Sequence, residues 1–95
     1  MYTERRKAIE EIEEMTETIR LNPLYAHAYR MRGLTYYHLG QYNQAIQDYT
    51  EVIAINPHDA NAYGMRAGAY YELGQWNRAE ENQAKAEAMY KKGGR

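Results

Sequence analysis

The side chains best suited to chemistry in this sequence are three histidines, and their spacing does not form a site. His27 and His38 are 11 residues apart. On a helix this spacing returns to the same face, but about 16 Å further along the axis, which is too far for one metal ion to bridge. His58 precedes Asp59 in a turn, and zinc-type ligand spacings are absent. We therefore predict no metal site and no cofactor.

Nucleophilic catalysis has few candidate groups in this sequence. Ser and Cys are absent, so a nucleophile would have to be a threonine or a carboxylate, and no base is visibly placed beside one. The glutamates between Glu10 and Glu17 resemble a carboxylate cluster, but their spacing is that of the solvated face of a helix. We predict that the protein has no catalytic residues and is not an enzyme.

The strongest pattern is an internal repeat with an offset of 34 residues. Residues 22–45 and 56–79 are identical at 14 of 24 aligned positions. Residues 15–23 match residues 49–57 at the same offset, so the sequence begins with the second helix of a repeat unit. A period of this size indicates stacked structural repeats, and the extended surfaces of such stacks commonly bind other proteins.

Apolar periodicity and turn residues predict five helices joined by short loops. Asn22-Pro23 and Asn56-Pro57 end two of them, Gly40 and Gly74 follow two others, and Asp59 is a suitable N-cap. The predicted helices are Thr3–Leu21 with Thr3 as N-cap, about Tyr25–Leu39, about Tyr42–Ile55, about Asp59–Leu73 and about Trp76–Tyr90.

Charge and composition argue against several classes of binding partner. The 12 basic and 13 acidic residues give no electrostatic basis for binding nucleic acid or an anionic membrane. No apolar run reaches the roughly 18 residues of a membrane span, and the first residues do not look like a signal peptide. A cytoplasmic location is the default expectation.

The repeated residues resemble the tetratricopeptide repeat family. That family has a 34-residue helix–turn–helix unit with an aromatic residue, a small residue and Tyr on the first helix, then Ala, an aromatic residue and Ala on the second, and a closing Pro. The matching positions here are Tyr29, Gly33, Tyr36, Ala45, Tyr49, Val52 and Pro57, then Tyr63, Ala67, Tyr70, Ala79, Gln83 and Ala86.

The resemblance implies an all-α fold, a right-handed solenoid of five antiparallel helices that contains about two and a half repeats. We predict a single domain over residues 1–95. It comprises a half-repeat helix (1–22), a repeat (23–57), a second repeat with a polar capping helix (58–90) and a frayed tail (91–95).

In this family, first helices line a concave groove that binds extended peptides. By resemblance, the peptide-binding residues expected here are His27, Arg30, Met31, Leu34, Tyr37, His38, Asn61, Met65, Tyr71 and Glu72, with Gly64 and Gly68 between them. The two glycines have two interpretations, a hollow for a partner or tolerated variation within the repeat.

Two sets of basic residues need separate interpretations. The family's clamp for a peptide carboxylate is matched by Arg30 alone, because Leu34 and Met65 occupy positions that the clamp fills with Asn. A chaperone-tail clamp is therefore not the leading hypothesis.

Arg32 is positioned to pair with Asp48 across its hairpin. In the second repeat Arg66 corresponds to Arg32, but Asn82 stands in place of the acid.

Two functions follow as hypotheses. The first is a non-catalytic protein–protein interaction scaffold that binds a protein or peptide of unknown identity on its concave face. The alternative is a self-assembling or engineered repeat module, or a fragment of one, with no peptide ligand of its own. In that case association would occur through the first helix, which lacks its hairpin partner.

Overall fold

The computed structural model describes residues 2–93, and within them the chain is entirely α-helical and loop. The five helices are α1 (Tyr2–Leu21), α2 (Ala26–His38), α3 (Tyr42–Ile55), α4 (Ala60–Glu72) and α5 (Trp76–Gly93). Helices pack mainly against their neighbours in the sequence, as expected of stacked hairpins. This confirms the predicted all-α repeat fold. None of the described helices has the length and apolarity needed to cross a membrane.

The ends of α2 and α4 each lie one residue inside the predicted ranges, and two other boundaries, in α1 and α5, also differ from the sequence prediction. The first helix begins at Tyr2, so Thr3 lies inside α1 and is not its N-cap. The last helix continues to Gly93, three residues beyond the predicted end at Tyr90. The first part of the predicted tail is therefore helical, and residues 94–95 lie outside the described residues.

Each hairpin is closed by a glycine with a left-handed backbone conformation. Gly40 and Gly74 have φ of 78° and 76°. The amides of Gly40 and Gln41 donate to the carbonyls of Tyr37 and Tyr36 at 3.0 and 2.9 Å. These paired bonds satisfy the last carbonyls of α2 in a Schellman motif. The second hairpin repeats the arrangement, which explains why sequence alone located both turns.

The two hairpins are held by the same polar link, which the sequence predicted in part. Arg32 donates to both carboxylate oxygens of Asp48 at 2.9 and 2.8 Å, which confirms the predicted ion pair. In the second hairpin, Arg66 donates to the amide oxygen of Asn82 at 2.8 Å. Asp48 and Asn82 are both buried, and buried polar groups of this kind require partners.

Each of these arginines also reaches the preceding helix, which the sequence analysis missed. Arg32 donates to the hydroxyl of Thr16 in α1, and Arg66 donates to the hydroxyl of Thr50 in α3, both at 3.1 Å. Thr16 and Thr50 are themselves 34 residues apart. Each arginine therefore joins three consecutive helices, and Arg32 and Arg66 act as structural side chains.

The helices are closely packed at Gly33 but not at Gly64. Replacing each glycine by alanine should therefore change the free energy of unfolding in opposite directions. A Cβ at Gly33 would lie 3.1 Å from both Asp48 Cβ and Tyr49 Cε1, whereas a Cβ at Gly64 would meet only Ala86 Cβ at 4.0 Å. Gly64→Ala should raise the free energy of unfolding by about 1 kcal/mol because alanine favours the helix. Gly33→Ala should lower it by about 1 kcal/mol or more through overpacking.

Urea denaturation followed by circular dichroism measures both changes. An equal effect of the two substitutions would contradict this account of the α2–α3 contact.

Candidate peptide-binding face

The predicted lining residues lie on α2 and α4, at helical spacings of three and four that share a face. We call this surface the inner face. Its exposed members are His27, His38, Asn61, Tyr71 and Glu72, and its half-buried members are Arg30, Met31, Leu34, Tyr37 and Met65. Gly64 and Gly68 are also half-buried. The inner face therefore presents apolar and aromatic side chains that are accessible in part.

Arg30 is held by the start of the next repeat rather than projecting freely. Its guanidinium forms an ion pair with Asp59 and donates to the side-chain oxygen of Asn61 at 3.1 Å. Asp59 is the N-cap of α4, where its carboxylate also accepts from the amide of Ala62 at 2.9 Å. The N-cap prediction for Asp59 is confirmed, and the same carboxylate neutralises the inner face's Arg30.

The environment of Asp59 favours its ionised form. Burial alone would raise the pKa of Asp59, but the hydrogen bonds from Arg30 and the Ala62 amide outweigh burial and lower that pKa below its usual value. A lowered carboxylate pKa contributes stability that is present above the unfolded value and lost as pH falls through the folded value. The link between the two repeats is therefore acid-sensitive.

We expect Asp59→Asn to isolate this electrostatic contribution, since asparagine retains N-cap ability. At neutral pH the wild-type chain should be more stable than the variant. The difference should shrink as pH falls from about 4, near the pKa of an aspartate in an unfolded chain, through the lower pKa of folded Asp59. Urea denaturation of both chains across the acid range measures it, and a difference independent of pH would contradict the assignment.

Tyr37 bridges the two repeats over Gly68. A Cβ at Gly68 would lie 3.4 Å from the Tyr37 hydroxyl oxygen and 3.7 Å from its ring. Burial, followed by the negative charge of Glu72, raises the pKa of Tyr37. The hollow at Gly68 is therefore occupied by a side chain of the protein itself, which neither interpretation of this glycine anticipated. Gly64 packs towards Ala86 of α5.

An aromatic pair recurs in both repeats, but with different exposure. The Tyr37 and Tyr42 rings meet edge to face at 5.3 Å, and the equivalent Tyr71 and Trp76 rings do so at 4.9 Å. Tyr37 is partly covered by α4, whereas Tyr71 and Trp76 are 61% and 57% exposed. The inner face thus ends in an open aromatic pair formed by Tyr71 of α4 and Trp76 of α5.

Tyr49 lies in the core between the helices. It is fully buried, and its hydroxyl has no hydrogen-bond partner within the described part of the chain. Burial, together with smaller effects of nearby charges, raises its pKa to about 12. The hydroxyl therefore remains protonated at neutral pH, and Tyr49 is a packing residue rather than a ligand contact.

The described residues contain no group of three or more His, Asp or Glu side chains arranged to hold a metal ion. His27 and His38 are exposed, and each lies near a tyrosine ring of its own segment, Tyr25 and Tyr37 respectively. The inner face therefore offers chemistry suited to non-covalent contact, with aromatic edges, thioethers and short polar groups.

Comparison with known proteins agrees with this architecture. Two family models described as tetratricopeptide repeat match residues 26–59 and 48–81. A search of curated proteins gave no significant match.

Several solved structures share the fold. A crystal structure of MamA is 32% identical with a TM-score of 0.85, over 87% of this chain and 48% of that one. The Arabidopsis OM64 TPR domain is 26% identical with a TM-score of 0.83, over 92% and 72%. The second TPR of Spaghetti (RPAP3), bound to the HSP90 peptide SRMEEVD, is 23% identical with a TM-score of 0.84, over 93% and 82%. The chain spans about half the length of the MamA chain.

Proposed function

Because this chain belongs to the tetratricopeptide repeat family, we propose that it is a non-catalytic protein-interaction scaffold that binds a peptide or protein segment on its inner face. The observation that carries the proposal is the series of partly accessible apolar side chains along α2 and α4. These are Met31, Leu34, Tyr37 and Met65, with the exposed Tyr71 at one end. Aromatic and methionine side chains are well suited to anchoring a partner.

The ion pair between Arg30 and Asp59 supports a choice between acidic and apolar ligands for this face. Its charge is balanced by Asp59, and Glu72 adds a negative charge beside Tyr37. An acidic peptide tail that bound Arg30 would compete with Asp59 for the guanidinium, at the expense of an existing ion pair. The RPAP3 domain, which shares the fold, is bound to the peptide SRMEEVD. For the present chain we propose instead an extended segment with apolar or aromatic anchors.

The test is a selection of peptides from a random library, followed by affinity measurement with two variants. Met65→Glu places a charge in the centre of the inner face and should weaken binding at least about tenfold, or about 1.4 kcal/mol. Ala54→Glu adds the same charge at an exposed position of α3, away from this face, and should leave affinity unchanged. Equal affinity of both variants would refute the proposed site.

Self-assembly is a second candidate, supported by the open Tyr71–Trp76 pair at the end of the inner face. Exposed aromatic area of this kind is stabilised when another surface covers it. Light scattering over a hundredfold range of protein concentration tests this alternative. A discrete oligomer that Trp76→Ala dissociates would favour assembly, and a monomer throughout would reject it.

A further inference from the structure

A groove lies between the N-terminal half of α1 and the C-terminal end of α2. Its volume is about 1000 Å³. Its lining comprises Ala8, Thr35, His38 and Leu39, four glutamates (Glu4, Glu10, Glu11 and Glu14) and two basic residues (Arg5 and Lys7). The groove exists because α1 packs against α2 on one side only. The equivalent helix α3 packs against both α2 and α4.

The internal repeat identifies what kind of element fits this groove. Ala8, Glu11 and Glu14 correspond, at the offset of 34 residues, to Tyr42, Ala45 and Asp48 of α3. In α3, Tyr42 packs edge to face against Tyr37 and Asp48 binds Arg32, and both partners are in α2. The groove on α1 is therefore the position that a helix like α2 occupies on α3.

The groove is more acidic than the equivalent surface of α3, which contacts α2. Glu11 replaces the buried Ala45, and its carboxylate accepts from the Thr35 hydroxyl at 3.4 Å. Glu14 replaces Asp48, and no cation pairs with it among residues 2–93. By contrast, α2 carries two arginines and no acidic residue. Because four glutamates line the groove against two basic residues, Arg5 and Lys7, charge complementarity favours a basic helix there.

The backbone at the start of α1 lacks the tight turn that joins the two helices of each hairpin. Gly40 and Gly74 make that turn in the two hairpins, and the equivalent position is Arg6. Arg6 lies within α1, which begins at Tyr2, six residues before Ala8, the counterpart of the first residue of α3. Continuous helix thus occupies the place of the turn, so a helix in the groove would not be joined to α1 through such a turn.

We propose that this groove is a second binding site, distinct from the inner face, for a basic amphipathic helix of a partner protein. The helix lies antiparallel to α1, as α2 lies against α3. One of its arginines pairs with Glu14 as Arg32 pairs with Asp48. A glycine or alanine beside that arginine allows close approach, as Gly33 does next to Asp48, where an added Cβ would meet Asp48 Cβ at 3.1 Å.

The probe that tests this proposal is a synthetic peptide of residues 24–39, capped at both ends, which carries the α2 sequence. It is titrated into the full chain labelled with ¹³C at the methionine methyl groups. Met15, adjacent to Glu14, should shift on binding, while Met65 on α4 should not. Replacing the peptide's Arg32 by Glu should weaken binding at least tenfold.

A charge exchange makes the test specific. Glu14→Arg in the chain should abolish binding of the unmodified peptide and restore binding of the peptide with Glu in place of Arg32. Glu13→Arg, at an exposed residue outside the groove lining, is the matched control and should bind the unmodified peptide as the wild-type chain does. Met65→Glu should also leave this binding intact, which separates the proposal from that for the inner face.

Four outcomes would overturn it, of which three concern binding of the peptide. These are no shift of Met15 at millimolar peptide, shifts confined to Met31 and Met65, and equal binding by the Glu14→Arg and Glu13→Arg variants. Self-association of the free chain that Glu14→Arg removes would assign the groove to a second copy instead, and would also refute the proposal.

Discussion

Replacing Tyr49 by alanine should lower the free energy of unfolding by about 3–5 kcal/mol, the range for removing a large aromatic side chain from a core. Tyr49 is fully buried, and its ring lies close to the backbone of α2 at Gly33, where an added Cβ would be 3.1 Å from Cε1. A domain of this size is stabilised by roughly 5–15 kcal/mol in total. The alanine variant should therefore lose a large fraction of its free energy of unfolding and denature at a much lower urea concentration.

Tyr49→Phe is the matched control for this prediction. It keeps the ring and removes only the hydroxyl, which is buried without a hydrogen-bond partner in the described part of the chain. Because an unsatisfied buried hydroxyl is unfavourable, the phenylalanine variant should be more stable by about 1 kcal/mol. Urea denaturation monitored by circular dichroism gives both values. A loss of stability in the phenylalanine variant would mean that the hydroxyl has a partner.

Removing the carboxylate of Asp48 should have the second-largest effect. Asp48→Ala leaves the Arg32 guanidinium without the acceptor of two hydrogen bonds in a largely buried position. Breaking a buried ion pair by removing one partner typically costs about 3–5 kcal/mol. Arg32 retains some exposure and keeps its bond to Thr16. We therefore expect the lower end of that range, about 3 kcal/mol.

The protein contains its own control for Asp48. In the second hairpin, Asn82 already accepts from Arg66 at 2.8 Å, so Asp48→Asn should retain one comparable bond and lose about 1 kcal/mol. The ratio of the two effects, measured by urea denaturation, is the informative quantity. Equal losses for alanine and asparagine would show that the stability comes from charge alone and not from hydrogen-bond geometry.

The features that sequence predicted well are those encoded within one helix or one hairpin. Helix positions follow from apolar periodicity, and the turns follow from Gly40 and Gly74. The Arg32–Asp48 pair follows from the placement of the two residues across one hairpin and from the recurrence of the arginine as Arg66. Each of these depends on local geometry that is the same in every copy of the repeat.

The features that sequence missed depend on how one repeat packs on the next. Arg30 was predicted as a ligand contact, and Asp59 only as an N-cap, yet they form one ion pair between repeats. Both residues depart from the repeat, since Gly64 and Tyr25 occupy the equivalent positions, and Tyr25 makes no side-chain cap bond. Complementary departures of this kind are the signal from which the pair could have been inferred.

Packing between repeats also explains why residue 68 is a glycine. Leu34 occupies the equivalent position in the first repeat, so the glycine looked like either a ligand hollow or neutral variation. The structure places the Tyr37 hydroxyl over it. The distance between Tyr37 and Gly68 depends on the angle between the two hairpins, which single-helix periodicity does not specify.

Methionine methyl NMR with a library-selected peptide tests the central claim, binding at the inner face, most directly. Met31 and Met65 lie on that face, whereas Met15 and Met89 lie on α1 and α5. The account predicts that the peptide shifts the Met31 and Met65 methyl signals and leaves those of Met15 and Met89 in place. Shifts at Met15 or Met89 without shifts at Met31 and Met65 would contradict it.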